Sequence, residues 1–255
     1  HIQTQLKSDH AHSLLPADVV AGRPILSATA PFRAIPANRI AASPTNIGAG
    51  PLSLRHAADL YPHPNTLVAL DVTGADLANW LERATVLYHR LIPGGQDQTL
   101  LRSDIPGFDF DLIDGLSFDI DLSAPPRFDA RGTVINPDAR RIHALRHQGH
   151  PLRDADRFIL VTNSYRAAGS GGFPACRPDQ VLLDSDTPIR RIIADFIAGG
   201  GAERPLRGYD WRFAPLPGTT ALVDLPPGAA AHLHDIAHLH PIALADQGQR
   251  FRLSL

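Results

Sequence analysis

The chain has no methionine, a single cysteine and no run of apolar residues approaching the ~20 that a helical membrane span needs. Each lack excludes something. With Cys176 alone, no disulfide forms within the chain, which neither requires nor rules out an oxidising compartment. The short apolar runs offer no candidate for a spanning helix. No lysine- or arginine-rich block occurs, the net charge is -2 and the pI is near 6.7. The electrostatic footprint of a binder of DNA or RNA polymer is therefore missing. The chain begins at His1 and carries neither methionine nor a signal peptide, so we expect it to be part of a longer polypeptide.

What is present suffices for a core. A chain of 255 residues with 44% hydrophobic content folds as one domain or two small ones without covalent staples. His1 to about His12 reads as the tail of a polar helix, ended by Pro16. Pro24–Ala30 reads as a strand, Pro31–Pro51 as an irregular proline-rich loop and Leu52–Leu60 as a short helix. Thr66–Val72, rich in branched residues, predicts a strand. Thr73 then caps a helix from Gly74 to about Leu91, with Leu77, Leu81, Ala84 and Tyr88 on one face. Leu116–Leu122 alternates as a half-buried strand does. Arg141–His147 and Arg157–Thr162 read as two strands joined around Gln148-Gly149. Thr187-Pro188 opens a helix to about Ala198, which the glycines at 199–201 stop. Strands over Trp211–Ala214, Ala221–Val223 and Arg250–Leu253 and a helix over Ala229–His238 complete the chain. Strands and helices alternate irregularly, so the fold class is α/β in the mixed α+β sense.

Two segments carry candidate chemistry. In DLYPHPNT, Asp59–Thr66, Tyr61 and His63 sit among prolines. In TNSYRAAGSGGFP, Thr162–Pro174, Tyr165 and Arg166 precede a glycine-rich loop. Two rings on two loops grip a planar heterocycle between their faces, which points to a nucleobase; half-buried loop tyrosines are the plainer alternative. Asn65 offers a donor and an acceptor to a base edge, or serves its own turn. The loop Gly169–Gly172 brings backbone amides close to a ligand, or is simply a turn. It is not a phosphate loop, since no Gly-Lys-Ser follows, and the glycine spacing around Ser170 is wrong for a nucleophile elbow. His232, His234, His238 and His240 have metal-like spacing on a helix, but a solvated helix face is the better reading.

Seven ordered segments also carry a resemblance: LSATAPFRA (Leu26–Ala34), DLYPHPNT, WLERA (Trp80–Ala84), FDFDLIDGLSFDIDL (Phe108–Leu122), INPDARRI (Ile135–Ile142), TNSYRA and DWRFAPL (Asp210–Leu216). Together they resemble the C-terminal domain of the 5'-nucleotidase family. Within it they look most like the bacterial periplasmic 2',3'-cyclic-nucleotide 2'-phosphodiesterase/3'-nucleotidases. The resemblance implies a layered 5'-nucleotidase C-terminal-domain-like fold with mixed sheets. Residues 1–15 would end a linker helix from a metallophosphatase domain, and residues 16–255 would form the substrate-binding domain.

The family's first loop reads D-L-Y-x-Y-P-N-T, so His63 stands where that pattern has tyrosine. The implied clamp is His63 with Tyr165, and Tyr61 is its neighbour. Arg33 lies where the family carries a phosphate-binding cation, and Arg166, beside Tyr165, is a second candidate for a bidentate phosphate contact. Gly171 takes the place of an aspartate that binds ribose hydroxyls in 5'-nucleotidases. Its lack of a carboxylate suits a 2',3'-cyclic or 3'-phosphate, which an anion there would repel. The family's two-metal signatures, an early D-x-H, an N-H-E or N-H-D and a late G-H-x-H, are missing; Gly149-His150-Pro151 is only a fragment. No cofactor is therefore expected in this domain, and two divalent metals are expected in an N-terminal metallophosphatase domain of the same polypeptide. The expected ligand is a nucleotide or nucleoside, and the expected location is periplasmic or secreted. Rival readings are a non-catalytic nucleotide- or sugar-binding module and a self-contained hydrolase using Ser170 or the terminal histidines.

Overall fold

The computed structural model describes residues 2–30, 47–199, 211–225, 229–244 and 250–255. Helix α1 (Ile2–Leu14) and a turn of helix α2 (Ala17–Val20) lead into strand β1 (Ile25–Thr29). Helix α3 (Leu54–Leu60) precedes β2 (Thr66–Thr73) and α4 (Gly74–Ala84). Next come β3 (Gln98–Thr99), β4 (Leu112–Asp114), β5 (Leu116–Ile120), β6 (Ile142–His147) and β7 (His150–Pro151). Strand β8 (Arg157–Asn163) runs into the single-turn α5 (Ser164–Ala167), and β9 (Val181–Pro188) into α6 (Ile189–Ala198). The remainder holds β10 (Trp211–Phe213), β11 (Thr220–Asp224), β12 (Ile242–Ala243) and β13 (Arg250–Ser254).

Among the described residues these strands form three sheets, ordered β4-β1-β8-β2-β9, β10-β5-β6-β7 and β12-β13-β11-β3. The first is mixed, with β1 parallel to β8 and the other neighbours antiparallel. Its two central apolar runs, Leu67–Leu70 and Phe158–Val161, lack polar alternation because both faces are covered. Val68, Leu70, Phe158 and Leu160 face the larger core, which α4 and the second and third sheets share. Leu67, Ala69, Ile159 and Val161 face a second core beneath α1 and α6, where Leu6, Ala11, Leu15, Ile189 and Ile192 pack. Each of the valine, leucine, isoleucine and phenylalanine side chains among them contributes about 1.5–3 kcal/mol when fully buried. Helix α1 is thus packed on the sheet along a stripe that includes the buried Thr4 and Lys7.

Helix α4 starts as the sequence predicts. The Thr73 side chain accepts from Asp76 N at 3.1 Å, and Asp76 accepts from Thr73 N at 2.8 Å. Gly74 is required there, because a Cβ would collide with the carbonyl oxygen of Arg153. The helix ends earlier than its apolar spacing implies, passing into a 3-10 turn at Thr85–Leu87. The guanidinium of Arg141 donates to the carbonyls of Thr85 and Tyr88 at 3.0 Å, and His89 N and Leu91 N turn to Leu100 O and Leu122 O. Tertiary partners therefore replace further helical bonds, while Tyr88 keeps its place in the core.

Two further expectations are corrected, and one strand is added. Strand β6 does turn at Gln148-Gly149, but onto β7, whereas β8 enters the other sheet. The polar β6 suits a sheet with a solvated face, and the apolar β8 needs two cores. Strand β9 was not expected; it is an edge strand whose polar DSD stretch hides its pairing with β2. Ala229–Leu239 forms 3-10 turns with a kink at Ile236 instead of an α-helix. Its inward residues Leu233, Ile236 and Leu239 recur every third position, which is the period of a 3-10 helix.

Candidate functional site

The direction of the strands in the first sheet sets the place of the site. Because β1 and β8 are parallel and β2 and β4 oppose them, the C-terminal ends of β1 and β8 meet the N-terminal ends of β2 and β4. A cavity of about 150 Å³ opens at this common end. Its floor is Thr29 at the end of β1, Ala30 just after it, and Asn163 at the end of β8. Tyr61, His63 and Asn65 enter from the loop before β2, Phe108 from the turn before β4, and Tyr165 and Arg166 from α5.

The pairing of β2 with β8 brings the two aromatic loops together. Leu67 lies opposite Asn163, so the residues just before β2 face those just after β8. A bond from Thr66 N to Ser164 Oγ at 3.1 Å ties the loops directly. Asn163 caps α5 by accepting from Arg166 N at 2.9 Å. Tyr61 is buried, and Asn65 Nδ2 donates to its hydroxyl at 3.3 Å. Burial raises the Tyr61 pKa, with the bonds to Asn65 and Asn163 opposing the shift. The His63 ring stands edge-on to Tyr61, with centroids 6.2 Å apart and planes at 89°, and is exposed. Tyr165 is 41% exposed.

Arg166 is placed differently from a free anion fork. Its guanidinium is buried; Nε donates to both Asp111 oxygens at 3.1 Å and Nη2 to Asp111 Oδ1 at 3.1 Å. Nη1 reaches Ser170 O at 3.0 Å and Asp109 at 3.4 Å, and Nη2 donates to the carbonyl of Phe108. Asp111 also accepts from Trp80 Nε1 at 2.9 Å. The Cζ of Arg166 lies 4.2 Å from the Phe173 ring centroid and 5.5 Å from that of Tyr165. The donors of Arg166 are thus engaged within the protein, beside the cavity.

Arg83 holds the glycine loop from the other side. It donates to Gly172 O at 3.0 Å, to Ala130 O at 3.1 Å and to Gly171 O. Asp109 lies 3.7 Å from Arg83 Nη2, so two guanidiniums and two carboxylates balance in one buried cluster. Burial raises the Asp109 pKa, and Arg166 and Arg83 pull it back. Gly171 has φ +74, and a Cβ there would run into Arg166 Nη1 and Asp109 Oδ1.

Of the candidate residues, Tyr61, His63, Asn65, Tyr165 and Arg166 line one cavity; Gly171 sits behind it against Arg166. Arg33 lies outside the described residues, with most of the proline-rich stretch. Sequence reasoning missed Phe108, Asn163, Asp109, Asp111 and Arg83. The FDFDL segment held a signal, an aspartate on each side of a core phenylalanine, but nothing local tells which arginines those aspartates meet. Among the described residues, no group of three or more histidine, cysteine, aspartate or glutamate side chains converges as metal ligands.

The family model for the 5'-nucleotidase C-terminal domain matches residues 27–177, a range that contains the whole cavity lining. This chain belongs to the 5'-nucleotidase C-terminal domain family. It is 37% identical over 197 residues to the trifunctional nucleotide phosphoesterase protein of Bacillus subtilis strain 168, covering 77% of this chain and 13% of that protein. It is also 37% identical over 211 residues to the 2',3'-cyclic-nucleotide 2'-phosphodiesterase/3'-nucleotidase of Haemophilus influenzae, covering 80% of this chain and 32% of that one. The 5'-nucleotidase precursor of Thermus thermophilus superposes with a TM-score of 0.55 at 18% identity, over 83% of this chain and 35% of its own. That likeness shows the shared fold: the mixed α/β layers described above are those of a 5'-nucleotidase C-terminal domain. The chain spans a third or less of the curated relatives it matches here. Among the described residues, no helix is long and apolar enough to cross a membrane.

Proposed function

We propose that this 5'-nucleotidase C-terminal domain recognises the base and sugar of a nucleotide, in a bifunctional 2',3'-cyclic-nucleotide 2'-phosphodiesterase/3'-nucleotidase. The observation that carries the proposal is the single cavity in which His63 and Tyr165, from segments a hundred residues apart, stand with Tyr61 and Asn65. Binding clefts for larger ligands run to about 300–1,000 Å³. A space of about 150 Å³ suits one planar ring system, with sugar and phosphate projecting outward. Tyr165 offers a flat face, His63 a smaller one, and Asn65 an amide for a base edge. Gly171 places no carboxylate of its own at the loop, and the neighbouring Asp109 is offset by Arg83 and Arg166. Both features favour a ligand with a 2',3'-cyclic or 3'-phosphate.

Hydrolysis belongs, on this reading, to two divalent metals held by another domain of the same polypeptide, and this chain presents the phosphate to them. Arg33 is the candidate phosphate contact, while Arg166 acts as a positioning residue for the loops. A periplasmic or secreted location fits a nucleotide-scavenging enzyme. The test is steady-state kinetics on the full-length protein with 2',3'-cyclic AMP. Tyr165→Ala should raise KM about ten-fold, the worth of one lost base stack. An unchanged kcat/KM would remove the cavity from substrate recognition.

A further inference from the structure

Most aromatic side chains among the described residues are at least partly covered. Among the described residues, the only exposed phenylalanine, tyrosine or tryptophan side chains are Phe108, at 37%, and Tyr165, at 41%. Both line the same cavity. Single exposed apolar side chains are ordinary on a protein surface, but two exposed rings that line one cavity give that cavity an apolar wall open to an occupant.

The backbone around Phe108 is anchored while its ring is left open. It sits in the 3-10 turn Gly107–Asp109, whose other two residues are buried. Asp109 N donates to Pro106 O at 2.9 Å, and Phe110 N to Gly107 O at 3.2 Å. The Phe108 carbonyl accepts from Arg166, and the adjacent Asp109 carboxylate pairs with Arg166 and Arg83. Two residues on, Phe110 packs edge-on against Tyr88 and Trp211, with centroids 5.3 Å away from each. Phe108 makes no ring contact with another aromatic among the described residues. Strand order places its turn on the β4 side of the cavity, whereas His63 enters on the β2 side, with β1 and β8 between.

We propose that Phe108 is a ligand-contacting residue that offers the bound heterocycle a stacking face from the flank opposite His63, and that Arg166 sets its position together with that of Tyr165. One guanidinium holds the Phe108 carbonyl and lies against the Tyr165 ring, so the two exposed rings share a single buried anchor. Three ring systems, those of Phe108, Tyr165 and the smaller His63, line the space that a base would enter. The proposal rests on the nucleotide reading of the cavity and adds the residue that reading lacked.

Calorimetric titration with adenosine tests it, using Phe108→Ala, Phe108→Leu, Phe108→Tyr and, as reference, Tyr165→Ala. Phe108→Ala and Phe108→Leu should each weaken adenosine binding about five-fold or more, while Phe108→Tyr, which keeps the flat face, stays within about two-fold of the parent protein. Leucine keeps the apolar bulk, so a loss in Phe108→Leu rescued by Phe108→Tyr marks stacking rather than loop packing. Parental affinity in both Phe108→Ala and Phe108→Leu, with a loss in Tyr165→Ala, overturns the role of Phe108 and leaves the nucleotide reading standing. If adenosine does not bind the parent protein, or binds Tyr165→Ala equally well, the nucleotide reading falls and the proposal with it.

Discussion

Arg166 donates to both carboxylate oxygens of Asp111 at 3.1 Å, and both side chains are shut away from solvent. Through this pair the turn before β4 is locked to the end of β8, across the intervening β1. The same guanidinium reaches the carbonyls of Phe108 and Ser170, so the pair supports three parts of the cavity at once.

Breaking the pair from either side should therefore be costly. Removing one partner of a buried ion pair leaves the other charge uncompensated, at about 3–5 kcal/mol. Urea denaturation of Asp111→Ala or Arg166→Ala should show a loss of that size. The double variant should lose less than the sum of the two, because no orphaned charge remains. Simple additivity would mean that the two groups do not act as a unit.

Gly171 supplies a second stability test. Its φ of +74 and its crowding by Arg166 and Asp109 both oppose a side chain, whereas Gly149, at φ +81, has open space around its Cβ position. Gly149→Ala should cost only the backbone term, about 1–2 kcal/mol. Gly171→Ala should cost clearly more, and Gly171→Asp more still, since a carboxylate would be driven against that of Asp109. Equal losses in Gly149→Ala and Gly171→Ala, measured by thermal or urea unfolding, would show that the loop gives way freely.

Much of the scaffold was legible in the sequence. The runs Leu67–Leu70 and Phe158–Val161 announced strands by branched apolar residues, and Thr73 with Asp76 announced the start of α4. Tyr61, His63, Asn65 and Tyr165 stood out through the resemblance of their two segments to the family pattern, since half-buried packing was the plainer local reading, and Tyr61 does pack into the second core. The rest was hidden for physical reasons. Arg166 meets Asp111 across 55 positions, and no local spacing encodes which buried charges pair. Phe108 and Phe110 look alike in FDFDL, yet one is exposed and the other buried, because the 3-10 turn at 107–109 breaks the alternation of a strand. The end of α4 depended on Arg141, more than fifty residues away.

Lys7, the only lysine in the chain, gives a pH test. It is fully buried in α1 and donates to the carbonyl of Ala28. Burial pushes its pKa down from 10.5 to about 8, with Asp111 pulling the other way. Between these values the unfolded chain still holds a proton that the folded chain has released. Stability therefore rises with pH through this window, and the cost of the buried charge is felt in full below about pH 8. Relative to Lys7→Met, in which this titration is absent, the parent protein should gain up to about 3 kcal/mol between about pH 7.5 and 10.5. Denaturant unfolding across that range checks it, and parallel pH profiles for the two proteins would contradict it.

The central claim is that the cavity between the loops at 61–65 and 163–166 holds the base of a nucleotide. Calorimetric titration of adenosine 3'-phosphate into the parent protein and into Tyr165→Ala tests that claim most directly. The account predicts one site per chain and an affinity lowered by ~1–3 kcal/mol in the variant, the worth of one base–aromatic stack. The same affinity in both proteins, or no binding to the parent, would contradict it.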